Sequence, residues 1–118
     1  MTLPKGKLSE ENVLERLRGI CTALPDTTEK ITFGHPTFQA KGKTFTVLET
    51  YKNELSICVR VGKTLQGMFE ADPRFYRTPY IGKHGWVSLK VHAAPLNWAE
   101  IKSLVKQSRE LVLSPKKS

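Results

Sequence analysis

The sequence is poor in the residues that build disulfide frameworks or metal sites. Its two cysteines, Cys21 and Cys58, are far apart, and neither belongs to a CxxC or Cys/His group. Two cysteines are too few for a disulfide framework, which favours a reducing compartment. The three histidines, His35, His84 and His92, stand singly rather than at metal-ligand spacing. We therefore expect no metal ion and no other cofactor.

Long apolar runs and catalytic motifs are also missing. Nowhere do eighteen apolar residues follow one another, and no apolar segment comes after the first lysines. This predicts a cytoplasmic protein that does not enter a membrane. A GxSxG motif, a P-loop and a recognisable Cys/His pair are absent, and the carboxylates are scattered. An enzyme is the weakest functional class, and we predict a non-enzymatic protein.

What the chain has instead is positive charge. Its 118 residues include 19 Lys and Arg against 11 Asp and Glu, a formal net charge of +8. The length suits one domain, which predicts a single domain over residues 1–118 with short flexible tips at about 1–8 and 114–118. A basic balance favours polyanionic partners, but the positions of the cations have to decide.

Helical patterns occur near both ends of the chain. Ser9 is a typical N-cap for a first helix, which we expect to end at Leu24 because Pro25 disfavours helical geometry in the residue before it. Asn97 is a typical N-cap for a last helix. A short helix is expected over residues 63–71.

Between the helices the apolar residues change to a period of two. Residues 28–61 predict four short antiparallel strands joined as a meander, and a last strand ends near Val91. The alternation turns Phe33 and Val47 toward the helices and Thr46 away from them. The predicted fold is a two-layer α+β domain, with an antiparallel sheet flanked on one face by the N- and C-terminal helices.

The other face of the sheet is predicted to be polar and mostly basic. Trp86 breaks this pattern, so either a loop or the mid-chain helix covers it or it is a functional aromatic. Cys58 is also expected on this face, beside Arg60. Its thiol is either an ordinary exposed or half-covered one, or one with a lowered pKa.

The segment RFYRTPYIGKHGWVSL concentrates aromatic and cationic residues around one turn. Its aromatic residues and glycines can close the core and form the turn. That leaves Arg74, Arg77, Lys83 and His84 as potential cations, with no acid between Asp72 and Glu100. These cations indicate a surface that holds something negative.

Two binding functions follow from these patterns. The leading hypothesis is a nucleic-acid-binding module whose partner is DNA, with RNA left open, and whose oligomeric state is expected to be monomeric. The phosphate ligands are Lys41, Lys43, Arg60, Arg74, Arg77, Lys83, His84 and Lys90, and the stacking residues are Tyr80 or Trp86. The alternative is a protein-interaction or small anionic ligand-binding module, in which the GHPTF loop and the PYIGKHGW turn form the rim of a pocket.

Several strings resemble the MmcQ/YjbR family of small bacterial proteins. They are LPDTTEKITFGHPTFQAKGKTF, PYIGKHGWVSL and NWAEIKSLVKQS, which together span most of the chain. The resemblance implies a frataxin-like (CyaY-like) fold and a DNA-binding label, and it implies no catalytic residues. The family often has an aromatic after the serine that matches Ser108, where this chain has Arg109. An iron-binding role, as in frataxins, is disfavoured by the positive charge.

Overall fold

The computed structural model describes residues 9–114, and within them it contains three α-helices and six β-strands. Their bounds in chain order are α1 Glu10–Thr22, β1 Thr27–Thr32, β2 His35–Ala40, β3 Lys43–Tyr51, β4 Glu54–Arg60, α2 Lys63–Glu70, β5 Phe75–Arg77, β6 Trp86–Lys90 and α3 Trp98–Leu113. A 3₁₀ turn, Gly82–His84, precedes β6. The expected flexible tips lie outside the described residues, apart from Ser114, which follows α3.

The terminal helices begin at their predicted caps. The Ser9 side chain accepts a hydrogen bond from a backbone N–H of the first turn at 3.1 Å, and the Asn97 side chain accepts two such bonds. α1 ends at Thr22, two residues before the expected end. The chain leaves the helix early because the Leu24 N–H bonds back to the Cys21 carbonyl, which tightens the last turn.

The first four strands form the predicted meander through three two-residue turns. All six turn residues have positive φ: Phe33 and Gly34, Lys41 and Gly42, Lys52 and Asn53. Positive φ at both central positions is typical of the type I′ turn, whose twist matches that of the two strands. The expectation that Phe33 faces the helices was wrong, because this residue belongs to a turn and its side chain is 95% exposed.

A β-bulge at Phe45 changes which residues of β3 face the helices. The register between β2 and β3 shifts after Phe38 because β3 holds one extra residue. Thr46 is therefore buried on the helix side, and Val47 lies on the opposite face beside Cys58. Strict alternation assigns Thr46 and Val47 the other way round, so that expectation was wrong. A shift of one residue moves each side chain to the other face.

The second half of the sheet adds β6 and then β5. The strand order is β1-β2-β3-β4-β6-β5, and every neighbouring pair is antiparallel. α2 lies against β5 and β6, where the rings of Phe69 and Phe75 meet edge to face at 5.1 Å. The buried Gln66 side chain donates hydrogen bonds to the carbonyls of Gly82 and Trp86, which fixes the 3₁₀ turn against α2.

The core lies between the helices and one face of the sheet. α1 contacts β1 and α3, and α3 contacts β3 and β4, so both terminal helices cover this face. The largest fully buried side chains are Phe38, Phe45, Leu17, Leu48, Ile57 and Ile101. The α+β class with an antiparallel sheet is therefore confirmed. Within residues 9–114, no helix combines the length and the apolar character that a membrane span requires.

Candidate binding surface

Five of the ten predicted binding residues meet at one end of the sheet. Lys41 lies in the β2–β3 turn and Lys43 begins β3, and Arg60 ends β4 opposite the first residue of β6. Lys83 and His84 lie in the 3₁₀ turn directly before β6. Since β3 is antiparallel to β4, its start lies beside the end of β4. We call these five residues the cationic end.

Three members of the cationic end line one concave surface, the basic depression. It has a volume of about 420 Å³, and its walls include Lys43, Arg60, His84 and Trp86. The Arg60 Nε donates a hydrogen bond to the His84 carbonyl at 3.1 Å, which holds the guanidinium beside the 3₁₀ turn. Within residues 9–114, neither His84 nor any lysine of the cationic end pairs with a carboxylate. These groups can therefore meet an external anion.

Arg74 does not belong to this surface. Its guanidinium forms salt bridges of 2.8 Å with both Asp72 and Glu100. The hydrogen bonds from Arg74 lower the pKa of the Asp72 carboxyl, and those to Glu100 and Asp72 raise the pKa of Arg74. Asp72 and Glu100, the acids at the two ends of the acid-free stretch of sequence, therefore neutralise Arg74 themselves.

Arg77 and Lys90 are also separate from the cationic end. The Arg77 guanidinium lies 2.8 Å from the Glu70 carboxylate of α2. Lys90 pairs with Ser56 at the far end of β6, which is the opposite end of the strand from the 3₁₀ turn. Five of the predicted phosphate ligands therefore lie at the cationic end, and the other three lie elsewhere on the protein.

The centre of the outer sheet face, which faces away from the helices, is closed rather than open and basic. Ser56, Cys58 and Ser88 are fully buried there. The Ser88 hydroxyl lies 3.3 Å from the Cys58 sulfur and 2.8 Å from the Thr78 hydroxyl, in hydrogen-bond contact with both. Burial raises the pKa of the Cys58 thiol to about 12. The expectations of an exposed or half-covered thiol, or of a lowered pKa, at Cys58 were wrong.

A groove runs across the outer face beside this closed centre. This outer groove has a volume of about 670 Å³ and is mainly apolar. Its walls include Phe33, Val47, Glu49, Tyr80 and Ile81. The β1–β2 turn brings Phe33 to the groove from one edge of the sheet, and the β5–β6 loop brings Tyr80 from the other.

Trp86 separates the two concave surfaces. It lines both the basic depression and the outer groove, but only 6% of its surface is exposed. The interpretation that Trp86 is covered is the one that the structure supports. Tyr80 differs, because its ring is 89% exposed. Of the two predicted stacking residues, Tyr80 alone presents a ring face to solvent.

Sequence reasoning predicted part of the outer groove, because the GHPTF segment and the PYIGKHGW turn, expected to form the rim of a pocket, both line it. It missed the residues that β3 contributes. The bulge puts Val47 on the outer face, which the alternation of the sequence does not predict. Nothing in the sequence distinguishes Glu49 from other strand residues. Phe33 was detectable, because the Gly34 that follows it marks the second position of a two-residue hairpin turn. The two central residues of such a turn lie beyond the paired strands, which favours the surface for an aromatic there.

Metal chemistry has no candidate centre in the described part of the chain. No group of three or more His, Cys, Asp or Glu side chains between residues 9 and 114 lies close enough to hold an ion. His35 lines the outer groove and His84 the basic depression, so these histidines are apart. The chemistry that the surface offers is charge and apolar contact.

The fold and the surface together define a small basic α+β protein with a cationic sheet end and an apolar groove. The YjbR family model matches residues 22–111, and the chain therefore belongs to the YjbR, or MmcQ/YjbR, family. This confirms the resemblance seen in the sequence. No curated protein sequence matches the chain.

Solved structures similar to this one include two bacterial proteins. Protein DR2400 of Deinococcus radiodurans, whose domain is described as DUF419, has a TM-score of 0.71 at 19% identity, over 87% of this chain and 79% of that one. A Pseudomonas syringae protein solved by the Northeast Structural Genomics Consortium has a TM-score of 0.68 at 17% identity, over 89% of this chain and 99% of that one. At these identities the similarity shows the fold alone.

Proposed function

We propose that this protein is a non-enzymatic module that binds DNA through the phosphates of its backbone, at the cationic end. The observation that carries the proposal is the grouping of Lys41, Lys43, Arg60, Lys83 and His84 at one sheet end. Lysine and arginine contacts to phosphates supply most of the affinity of such proteins, and they need no preformed catalytic set.

The proposal predicts a steep dependence on salt. If the four Lys and Arg residues of the cationic end each neutralise one phosphate, the slope of log affinity against log salt is about −3.6 on duplex DNA. Fluorescence anisotropy with a labelled duplex at several salt concentrations measures this slope. A flat slope, or no binding at low salt, contradicts the proposal.

Charge reversal at the cationic end tests its location. The double variant K43E/K83E should bind duplex DNA at least tenfold more weakly and reduce the salt slope by about two units. The matched control is K102E/K106E, which changes the net charge equally on the exposed side of α3. If the control loses as much affinity as K43E/K83E, the affinity for DNA depends on the net charge of the protein and not on the cationic end.

A small anionic ligand is a second candidate, favoured by the concave shape of the basic depression. Lys43, Arg60 and His84 line the same space of about 420 Å³, which can receive a single phosphate group. Calorimetric titration with inorganic phosphate tests it. If phosphate alone binds as tightly as an oligonucleotide, the protein is a small-ligand module. Much weaker binding of phosphate favours the polyanion.

We also propose a cytoplasmic location, a monomeric state and a frataxin-like arrangement of the fold. Both cysteines are free thiols, which suits a reducing compartment. The two terminal helices on one face of an antiparallel sheet are the feature that supports a frataxin-like fold. Sedimentation velocity tests the oligomeric state, and superposition on a frataxin tests the fold assignment.

A further inference from the structure

Phe33 and Tyr80 are aromatic at positions where neither the turn nor the core requires an aromatic. Their side chains are 95% and 89% exposed, and their φ angles are 52° and 69°. Such left-handed conformations favour glycine or asparagine over bulky residues. The stability of the fold therefore does not explain why these two positions hold aromatic residues. Exposed aromatic rings at a concave surface are platforms on which flat ligands stack.

Charge is divided between the outer groove and the basic depression. Glu49 lines the groove, whereas Lys43, Arg60 and His84 line the depression. The Glu49 carboxylate repels an anion from the groove and accepts hydrogen bonds from neutral N–H groups. The two spaces adjoin, because Thr44 and Trp86 line both of them. A ligand that spans them has a flat ring with N–H donors at one end and a phosphate at the other.

We infer that the outer groove holds an unpaired nucleobase of a single strand whose phosphates lie on the cationic end. This inference rests on the proposed function. The groove volume of about 670 Å³ is within the range of small-ligand pockets. Bases of a duplex are stacked and paired, so only an unpaired base can enter the groove.

Charge complementarity distinguishes this occupant from a second copy of the chain. Each copy carries a formal net charge of +8, so the cations beside the groove repel another copy. The same cations attract a phosphate that is covalently linked to the base in the groove. A single strand of DNA and a single strand of RNA share this chemistry.

The test compares single strands with a duplex. Anisotropy at one fixed salt concentration measures binding of a thymidine dodecamer, a uridine dodecamer and a duplex dodecamer to F33A/Y80A. The loss of stacking on the one base in the groove should weaken binding of the better single strand by about fivefold to a hundredfold. Duplex affinity should stay unchanged, because the cationic end is intact. The better of the two single strands identifies the ligand as DNA or RNA.

Two control variants separate a loss of stacking from a loss of folding. L65A/M68A removes two exposed apolar side chains from α2 and should leave single-strand binding unchanged. F33Y/Y80F keeps both rings and should bind single strands as the unchanged protein does. Unchanged single-strand binding by both control variants supports stacking in the groove. Weak single-strand binding by F33Y/Y80F contradicts it.

The outcomes separate the inference from the proposed function. If F33A/Y80A binds both single strands as tightly as the unchanged protein while K43E/K83E does not, the inference fails and the proposed function stands. An equal loss on the duplex also overturns the inference. If the unchanged protein binds no nucleic acid, both fail. A dimer in sedimentation velocity that F33A/Y80A dissociates assigns the groove to a second copy and overturns the inference.

Discussion

The Ser108 hydroxyl of α3 donates a hydrogen bond of 2.6 Å to the carbonyl of Phe45, the bulged residue of β3. The same hydroxyl accepts a bond of 2.8 Å from the Arg60 N–H of β4. A bulge interrupts the ladder of backbone hydrogen bonds, so its polar groups need other partners. Ser108 supplies one from the helix layer. It thereby stabilises the bulge that turns Val47 into the outer groove.

The first prediction concerns this buried hydroxyl. S108A should lower the free energy of unfolding by roughly 1–3 kcal/mol, because it removes the hydroxyl that bonds both the Phe45 carbonyl and the Arg60 N–H. Urea unfolding followed by circular dichroism measures the change. The control is S103A, since Ser103 is exposed on the same helix and should cost less than about 0.5 kcal/mol. Equal effects of the two variants would show that the bulge does not depend on Ser108.

Gly85 gives a second prediction about stability. Its φ is 89°, and a methyl group added there would lie 2.8 Å from two backbone carbons of Gly62. G85A should therefore destabilise the fold by roughly 2–5 kcal/mol, from backbone strain and overlap together.

The control for G85A is another glycine with free space around it. Gly19 lies in α1, and a methyl group there meets nothing within 4 Å. G19A should stabilise the protein by about 0.5–1 kcal/mol, because alanine has a higher helix propensity than glycine. Thermal unfolding of both variants measures the contrast. A G85A variant as stable as the unchanged protein would contradict the close approach of Gly85 and Gly62.

The third prediction concerns the two thiols. Cys21 and Cys58 are fully buried, and burial raises the pKa of each to about 12. Because the thiolate is the reactive form, neither should react with a disulfide reagent at pH 8 until the protein unfolds. Absorbance of the released thiol, with and without urea, measures this. S103C adds an exposed thiol as a positive control, and rapid reaction of the unchanged native protein would refute the prediction.

The fourth prediction is a pH dependence at the Arg74 cluster. Hydrogen bonds from Arg74 hold the pKa of Asp72 below its ordinary value of 3.8. A lowered folded-state pKa contributes stability above pH 3.8 that is lost as the pH falls through the folded value. D72N should therefore be less stable than the unchanged protein at pH 7, and the difference should shrink toward pH 2. Urea midpoints at both pH values test this, and a constant difference would exclude a charged contribution.

Local chemistry was the part of the fold that could be predicted. Serine and asparagine are strongly preferred at the N-cap of a helix, and Ser9 and Asn97 cap α1 and α3 here. The turn residues Lys41 and Gly42 likewise join neighbouring strands as expected. These predictions succeeded because each depends on residues within one or two turns of the chain.

Contacts between distant segments could not be predicted. Arg74 meets Glu100 across 26 positions and Arg77 meets Glu70 across seven, so neither partner is visible in the local pattern. The bulge at Phe45 leaves no signature in the alternation, although one extra residue reverses the faces of Thr46 and Val47. The pairing of cations and the position of the outer groove both depend on such contacts.

The sequence by itself determined the family, the order of the helices and the first strands, and the excess of positive charge. The family follows from the resemblance of its sequence strings, which the family model confirms. The other properties follow from composition and from short-range periodicity, which need no knowledge of distant neighbours. Only the tertiary structure decided which cations form a salt bridge with a carboxylate. It also decided that Phe33 and Tyr80 line one concave surface. The physical reason is that charge pairing and concavity arise between residues that folding, and not chain order, brings together.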